Sequence, residues 1–152
     1  MAHLVELLRR SRLMRYWAPV FIWMAGIFYF SCRPDPLDFL PSSGHGINID
    51  RLAHITEYAG LAALLHRALR KQGSRGAREP GSKGAEEQGS QGEFSSAPPH
   101  PRTPALIALV YAILDELHQE LVPGRGFQLA DIGYDLAGII VALGLIWVRE
   151  TK

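Results

Sequence analysis

Cysteine is nearly missing: Cys32 is the only one in 152 residues, which excludes an internal disulfide framework and any metal site built from several thiolates. Charge imbalance is missing too. Sixteen lysines and arginines face 15 aspartates and glutamates, a formal net charge of +1, so nothing global draws the chain to nucleic acid or to an acidic partner. No G-x-S-x-G elbow, phosphate-binding loop or zinc-protease helix occurs, so no motif supports an ordinary hydrolase, kinase or metalloprotease. Charge is also absent from YWAPVFIWMAGIFYFS, Tyr16 to Ser31, whereas large apolar residues are almost absent from Lys71 to His100. That segregation points to membrane spans plus a loop rather than one soluble core.

The apolar runs read as four transmembrane helices, at about 16–31, 50–69, 104–122 and 130–148, in an all-α integral membrane bundle. The last is about 19 residues, roughly 28 Å at 1.5 Å per residue, one bilayer core. Trp17 and Tyr29 flank the first as interface anchors, and Pro104 suits the first turn of the third. The first run could also be a signal peptide ending in a lipoprotein-like YFSC, but Tyr29 and Phe30 are bulky where such a site wants small residues. A retained helix is the better reading. The second span is the weakest, because Arg51, His54 and Glu57 lower its hydropathy. The positive-inside rule supports it: with four spans and both termini cytoplasmic, Arg9, Arg10, Arg12, Arg15, Arg67, Arg70, Lys71, Arg75, Arg78, Lys83, Arg102, Arg149 and Lys152 lie inside. Only Arg33, Arg51 and Arg125 fall outside.

The segment 71–103 contains three imperfect octads, QGSRGARE, PGSKGAEE and QGSQGEFS, from Gln72 to Ser95. With almost no large apolar residue they have no face to stack, so this is a flexible Gly/Ser-rich cytoplasmic insertion rather than a solenoid.

That topology gathers the polar residues near the outer leaflet. At about 100 degrees per residue, Asp50, His54, Glu57 and Tyr58 share a face, as do Glu116, Gln119 and Glu120, and Asp131, Asp135 and Gly138. The connector VPGRGFQL supplies Arg125 on a Pro-Gly turn. Charges at a span centre cost about 2.5 to 3.5 kcal/mol each, so these residues should turn into the bundle and pair with Arg51 and Arg125, or reach the rim. Gly138 and Ala142 continue the face inward and allow close helix contact. His118 falls opposite Glu116 and Glu120 and reads as interfacial, Asp115 as peripheral, and His45, His66 and Cys32 as loop, interface or packing residues.

DRLAHITEYAGL and DELHQELVPGRGFQLADIGYDLAG, behind a first span ending in Ser31 and a proline-containing loop, resemble the VanZ-like integral membrane proteins. The E-x-x-Q, P-x-R and D-x-x-x-[N/D]-x-x-G pattern carries the resemblance, which covers nearly the whole chain apart from the octads. The matching positions are Asp50, His54, Tyr58, Glu116, Gln119, Arg125, Asp131 and Gly138. Arg51 stands where lysine is commoner, which keeps charge but would not keep amine chemistry; Asp135 stands where many members have asparagine. The resemblance implies a bacterial, multi-pass protein of the cytoplasmic (inner) membrane, linked to glycopeptide resistance of the teicoplanin type. It brings no reaction with it.

Two classes of function follow. In the first, an outward-facing polar pocket binds or acts on an envelope lipid or cell-wall component, with Glu116 as candidate general acid or base, His54 as its proton partner and Arg125 binding an anionic head group. Asp50, Arg51, Tyr58, Gln119, Glu120, Asp131 and Asp135 complete that pocket. In the second, the chain is a non-enzymatic binding or interaction protein, or a proton-coupled carrier, with the same residues as helix clamp or switchable charges. No cofactor is expected. A divalent cation such as Mg²⁺ or Ca²⁺ at Asp131 and Asp135 is a secondary option, since oxygen ligands suit it but no tight ligand motif accompanies the pair. The bilayer is the expected partner, nucleic acid is not, and the oligomeric state stays open.

Overall fold

Backbone groups in an apolar setting must bond within their own segment, which favours helix wherever the runs are long enough. A computed structural model describes residues 12–34, 49–73 and 102–152. They form α1 (Arg12–Ser31), α2 (Ile49–Gly73), α3 (Arg102–Gln119) and α4 (Leu129–Glu150), with no strand among the described residues. The all-α expectation and the number of helices both hold. Most of the octad segment lies outside the described residues.

The third helix stops at Gln119, short of the expected 122. Its end tightens, because Leu121 N donates to His118 O and Val122 N to Gln119 O, both at 3.0 Å, and such i→i−3 bonds close a helix. Val122-Pro123-Gly124-Arg125 then makes the turn: Arg125 N donates to Val122 O at 3.0 Å and Gly124 has φ +86°. Proline at the second place and a left-handed glycine at the third are what a type II turn requires. The turn fixes where Arg125 sits between α3 and α4.

Contacts along the helices show that direction alternates. Trp23 of α1 meets Glu57 of α2, while Tyr16 lies under Arg67, so α1 and α2 are antiparallel. His54 meets Asp135 and His66 meets Glu150, so α2 and α4 are parallel. Cys32 meets His118 and Met24 meets Tyr111, so α1 and α3 run together. One end therefore gathers the C-termini of α1 and α3 with the N-termini of α2 and α4. At the other end, Glu150 receives both His66 (3.2 Å) and Arg70.

The second helix is the centre of the bundle. Tyr58, Leu61, Ala62, Leu65 and Ala68 are buried in the core with Val20, Ile27, Ala108, Ala112 and Ile139, and α2 packs most extensively on α4. Gly138 makes that approach possible: a Cβ there would lie 2.2 Å from the Ile55 carbonyl oxygen. Gly60 similarly admits the Trp23 indole, whose Nε1 donates to Glu57 O at 2.8 Å.

Polarity is inverted relative to a soluble bundle. The outward side of α3 is Leu106, Ile107, Val110, Ile113, Leu114 and Leu117, whereas its buried side includes Asp115, Glu116 and Gln119. A helix in water would reverse that arrangement. By length and hydropathy alone, one helix among the described residues, Leu129–Glu150, suffices to cross a membrane.

Candidate functional site

Glu116 and Asp135 are each only 1% exposed, so neither charge is left to solvent and each must be answered from inside the protein. They meet at the mixed end of the bundle. Nδ1–H of His54 donates to Oδ1 of Asp135 at 2.9 Å, joining α2 to α4. The other ring nitrogen, Nε2, lies 3.9 Å from Oδ2 of Asp131, too far for a hydrogen bond. A carboxylate oxygen of Glu116 joins them, so that one ligand atom from each of His54, Glu116 and Asp131 lies within 4.8 Å of the others.

The turn geometry aims Glu116. Its Oε2 accepts the backbone N–H of Gln128 at 2.9 Å, and Gln128 is the N-cap of α4. The carboxylate thus ties the end of α3 to the start of α4, where the helix dipole also favours negative charge. Asp131, one turn into α4, shares that benefit. Asp115 occupies the neighbouring position, with Oδ2 accepting from Gln119 Nε2 at 2.9 Å, and the Ser31 hydroxyl interacts with it from α1 without forming a well-shaped hydrogen bond. Arg125, half-buried on the turn, interacts electrostatically with Glu57 and Asp115.

Among the described residues four buried side-chain oxygens have no hydrogen-bond partner: Ser31 Oγ, Tyr58 OH, Asp115 Oδ1 and Glu116 Oε1. All four belong to this end or the layer next to it. Buried polar groups are ordinarily satisfied; Ser31 and Asp115 interact with each other, and Glu116 belongs to the group with His54 and Asp131.

The structure brings together His54, Tyr58, Glu116, Gln119, Asp131 and Asp135 of the residues expected from sequence, with Arg125 at the side. It does not bring in Asp50, Arg51 and Glu120, which are exposed; Arg51 lies over the Tyr134 ring at 5.3 Å. Asp115, expected at the periphery, is buried. The signal for it was present: at about 100 degrees per residue, Pro104, Ala108, Ala112, Asp115, Glu116 and Gln119 share an arc of roughly 120 degrees. Centring the arc on the small residues recovers Asp115 and excludes Glu120. His118 does lie apart, with Nε2 3.3 Å from Cys32 Sγ and its ring 4.7 Å from that of Phe28.

Of the oxygen pair Asp131 and Asp135, Asp135 has its Oδ1 engaged with His54. Among the described residues the group of three whose ligand atoms lie close enough together to hold a cation is His54, Glu116 and Asp131. A nitrogen donor among two carboxylates suits a first-row transition ion better than Mg²⁺ or Ca²⁺.

A helical bundle that turns leucine outward and buries histidine, aspartate and glutamate at one end is a small protein of the membrane type. The chain belongs to the VanZ/LLP1 family, whose sequence model matches residues 11–150. No curated protein and no solved structure matches it. The family match agrees with the resemblance read from DRLAHITEYAGL and the α3–α4 segment.

Proposed function

We propose that this chain is a bacterial inner-membrane protein of four spans whose outward-facing pocket binds, or acts on, an envelope lipid or cell-wall component. Glycopeptide sensitivity of the teicoplanin type is the cellular readout. The observation that carries the reading is Glu116: buried, half-satisfied, and with a carboxylate oxygen within 4.8 Å of His54 and Asp131. In this pocket Glu116 is the acid or base, His54 exchanges its proton, and Arg125 draws an anionic phosphate or carboxylate toward them.

Four spans are supported by the alternating helix directions and by the apolar outward faces of α1, α3 and α4, which expose Phe21, Ile22, Leu106, Val110, Ile140 and Leu145 among others. Mean hydropathy understates α2 because that helix is central, with His54 and most residues from Tyr58 to Leu69 buried or half-buried and its exposed charges gathered toward its two ends, so its middle has little lipid to meet. Cysteine labelling checks the topology: in a Cys32→Ser background, Gly126→Cys should react with an impermeant maleimide in intact cells, and Gly84→Cys only after permeabilisation. The opposite pattern would overturn the orientation.

The site assignment has its own test. Glu116→Gln and Arg125→Ala should each insert at normal abundance yet leave cells as glycopeptide-sensitive as those lacking the protein, with a matching change in envelope lipids. Unchanged sensitivity in stable variants would remove these residues from the site.

One observation favours a second reading, a binding protein in which the cluster clamps the bundle. His54 and Asp135 join α2 to α4 about one turn from the Gly138 contact, so the bond does lock the tightest helix pair. Under that reading, loss of function follows loss of folding.

A further inference from the structure

We propose that His54, Glu116 and Asp131 are the ligands of one divalent transition-metal ion, with Asp135 orienting the histidine. The proposal deepens the pocket reading above by giving that site its cofactor. The geometry has three independent parts. First, the donor atoms converge from three different helices to within 4.8 Å of one another. Ligands of an ion with bonds of about 2.0 to 2.2 Å stand roughly 3 to 4 Å apart, so the three side chains need to close by about 1 Å. Each lies near a helix end, where such a shift meets least resistance.

Second, Asp135 is placed to hold the histidine in the tautomer a metal requires. Asp135 Oδ1 lies 2.9 Å from Nδ1; when the neutral ring donates its Nδ1–H to that oxygen, the lone pair is on Nε2, the nitrogen that faces Asp131 at 3.9 Å. Metal-binding imidazoles are commonly held this way, with a carboxylate on the far nitrogen fixing ring orientation and raising basicity. A plain His-Asp clamp needs the first contact but not the second.

Third, Glu116 is 1% exposed and its Oε1 has no partner, although Oε2 is held by Gln128. The backbone bond thus fixes the carboxylate while leaving one oxygen available. One imidazole and two carboxylates offset two positive charges and leave coordination positions for an anionic oxygen of the kind the pocket reading calls for. The ion would polarise that oxygen as a Lewis acid.

The test uses the full chain, purified in detergent, stripped with chelator and titrated with Co²⁺, whose visible bands report coordination. Wild type should take up one Co²⁺ per chain at micromolar concentration and release it to Zn²⁺. Asp131→Asn should abolish the bands; Asp131 is only half-buried, so this variant should keep its helicity and elution profile. His54→Gln should do the same, while Asp135→Asn should retain the stoichiometry but bind about 10- to 100-fold more weakly. Glu120→Gln, on an exposed residue, should bind like wild type. Folded wild type that takes up no Co²⁺, or binding that survives Asp131→Asn and His54→Gln unaltered, would overturn the site. Failure of the broader reading is separable: a chain that binds the ion but does not alter glycopeptide sensitivity keeps the site and removes the function. A sensitivity effect from a chain that binds no ion removes the metal alone.

Discussion

Gly138→Ala is expected to destabilise the bundle by more than about 3 kcal/mol, beyond the usual range for one added methyl in a packed interior. The cause is the identity of the obstacle. A Cβ at this position would stand 2.2 Å from the Ile55 carbonyl oxygen and 3.1 Å from the Ala59 nitrogen. Both are backbone atoms of α2, which cannot rotate aside as a side-chain tip can, so α4 must retreat. Retreat also stretches the His54–Asp135 bond, which spans the same two helices at 2.9 Å, so assembly and site should suffer together. Two neighbouring glycines supply the control. Gly133 and Gly144 have nothing within 4 Å of the corresponding point, and alanine there should be neutral or stabilising by roughly 0.5 to 1 kcal/mol, because alanine forms helix better than glycine. Denaturant or thermal unfolding in detergent measures all three. If Gly138→Ala unfolds with Gly144→Ala rather than far below it, the close approach of α2 and α4 is not what holds this bundle.

Gly138 also shows which parts of the molecule were legible in its sequence. Its spacing from Asp131 and Asp135 marked it as a contact position, since positions four, three and four apart share a helix face. Nothing in the sequence said which helix it would meet. The helices themselves were readable because long apolar runs have few alternatives in a bilayer, yet α2 was the weakest reading and proved to be the most central. On the four-span proposal the reason is physical: a span needs hydropathy only on the surface it shows to lipid, and α2, with α1, α3 and α4 around it, shows little. Averaging over residues loses that distinction.

The candidate site divides in the same way. Helical periodicity placed His54, Tyr58, Glu116, Gln119, Asp131 and Asp135 on inward faces, and the structure gathers them. Asp50, Arg51 and Glu120 were also read into the pocket, and all three are exposed, Asp50 and Arg51 in the first turn of α2 and Glu120 just past the end of α3 and outside its buried arc. Periodicity gives direction around a helix but not how far along it the partner extends. The pairing of His54 with Asp135 rather than with Glu116, and the Glu116 bond to Gln128, depend on the parallel register of α2 and α4. The close approach of Gly138 to Ile55 belongs to that register, and the helix that Gly138 meets is not encoded in its own spacing.

Asp135→Ala is expected to cost about 3 kcal/mol, since removing one member of a buried polar pair leaves the other desolvated and unanswered. His54 Nδ1 would then lose its 2.9 Å partner while remaining buried. The pair's net coupling is a different quantity. Interhelical hydrogen bonds in membrane bundles couple by about 0.6 kcal/mol on average, because the single truncation mainly measures the penalty on the survivor. His54→Leu combined with Asp135→Ala removes both polar groups while keeping nearly the same side-chain volume. That double variant should therefore be more stable than Asp135→Ala alone, approaching wild type, as buried polar pairs replaced by apolar residues often are. Its function should be gone, with no metal uptake and full glycopeptide sensitivity, because the imidazole that faces Glu116 and Asp131 is absent. The clamp reading requires the reverse, a double variant that works as well as it folds. Unfolding curves and sensitivity assays on the same four chains decide between them: function that tracks stability across wild type, both single variants and the double variant would reduce this cluster to a fastener. A stable but inactive double variant would show that the polar pair is kept for its chemistry.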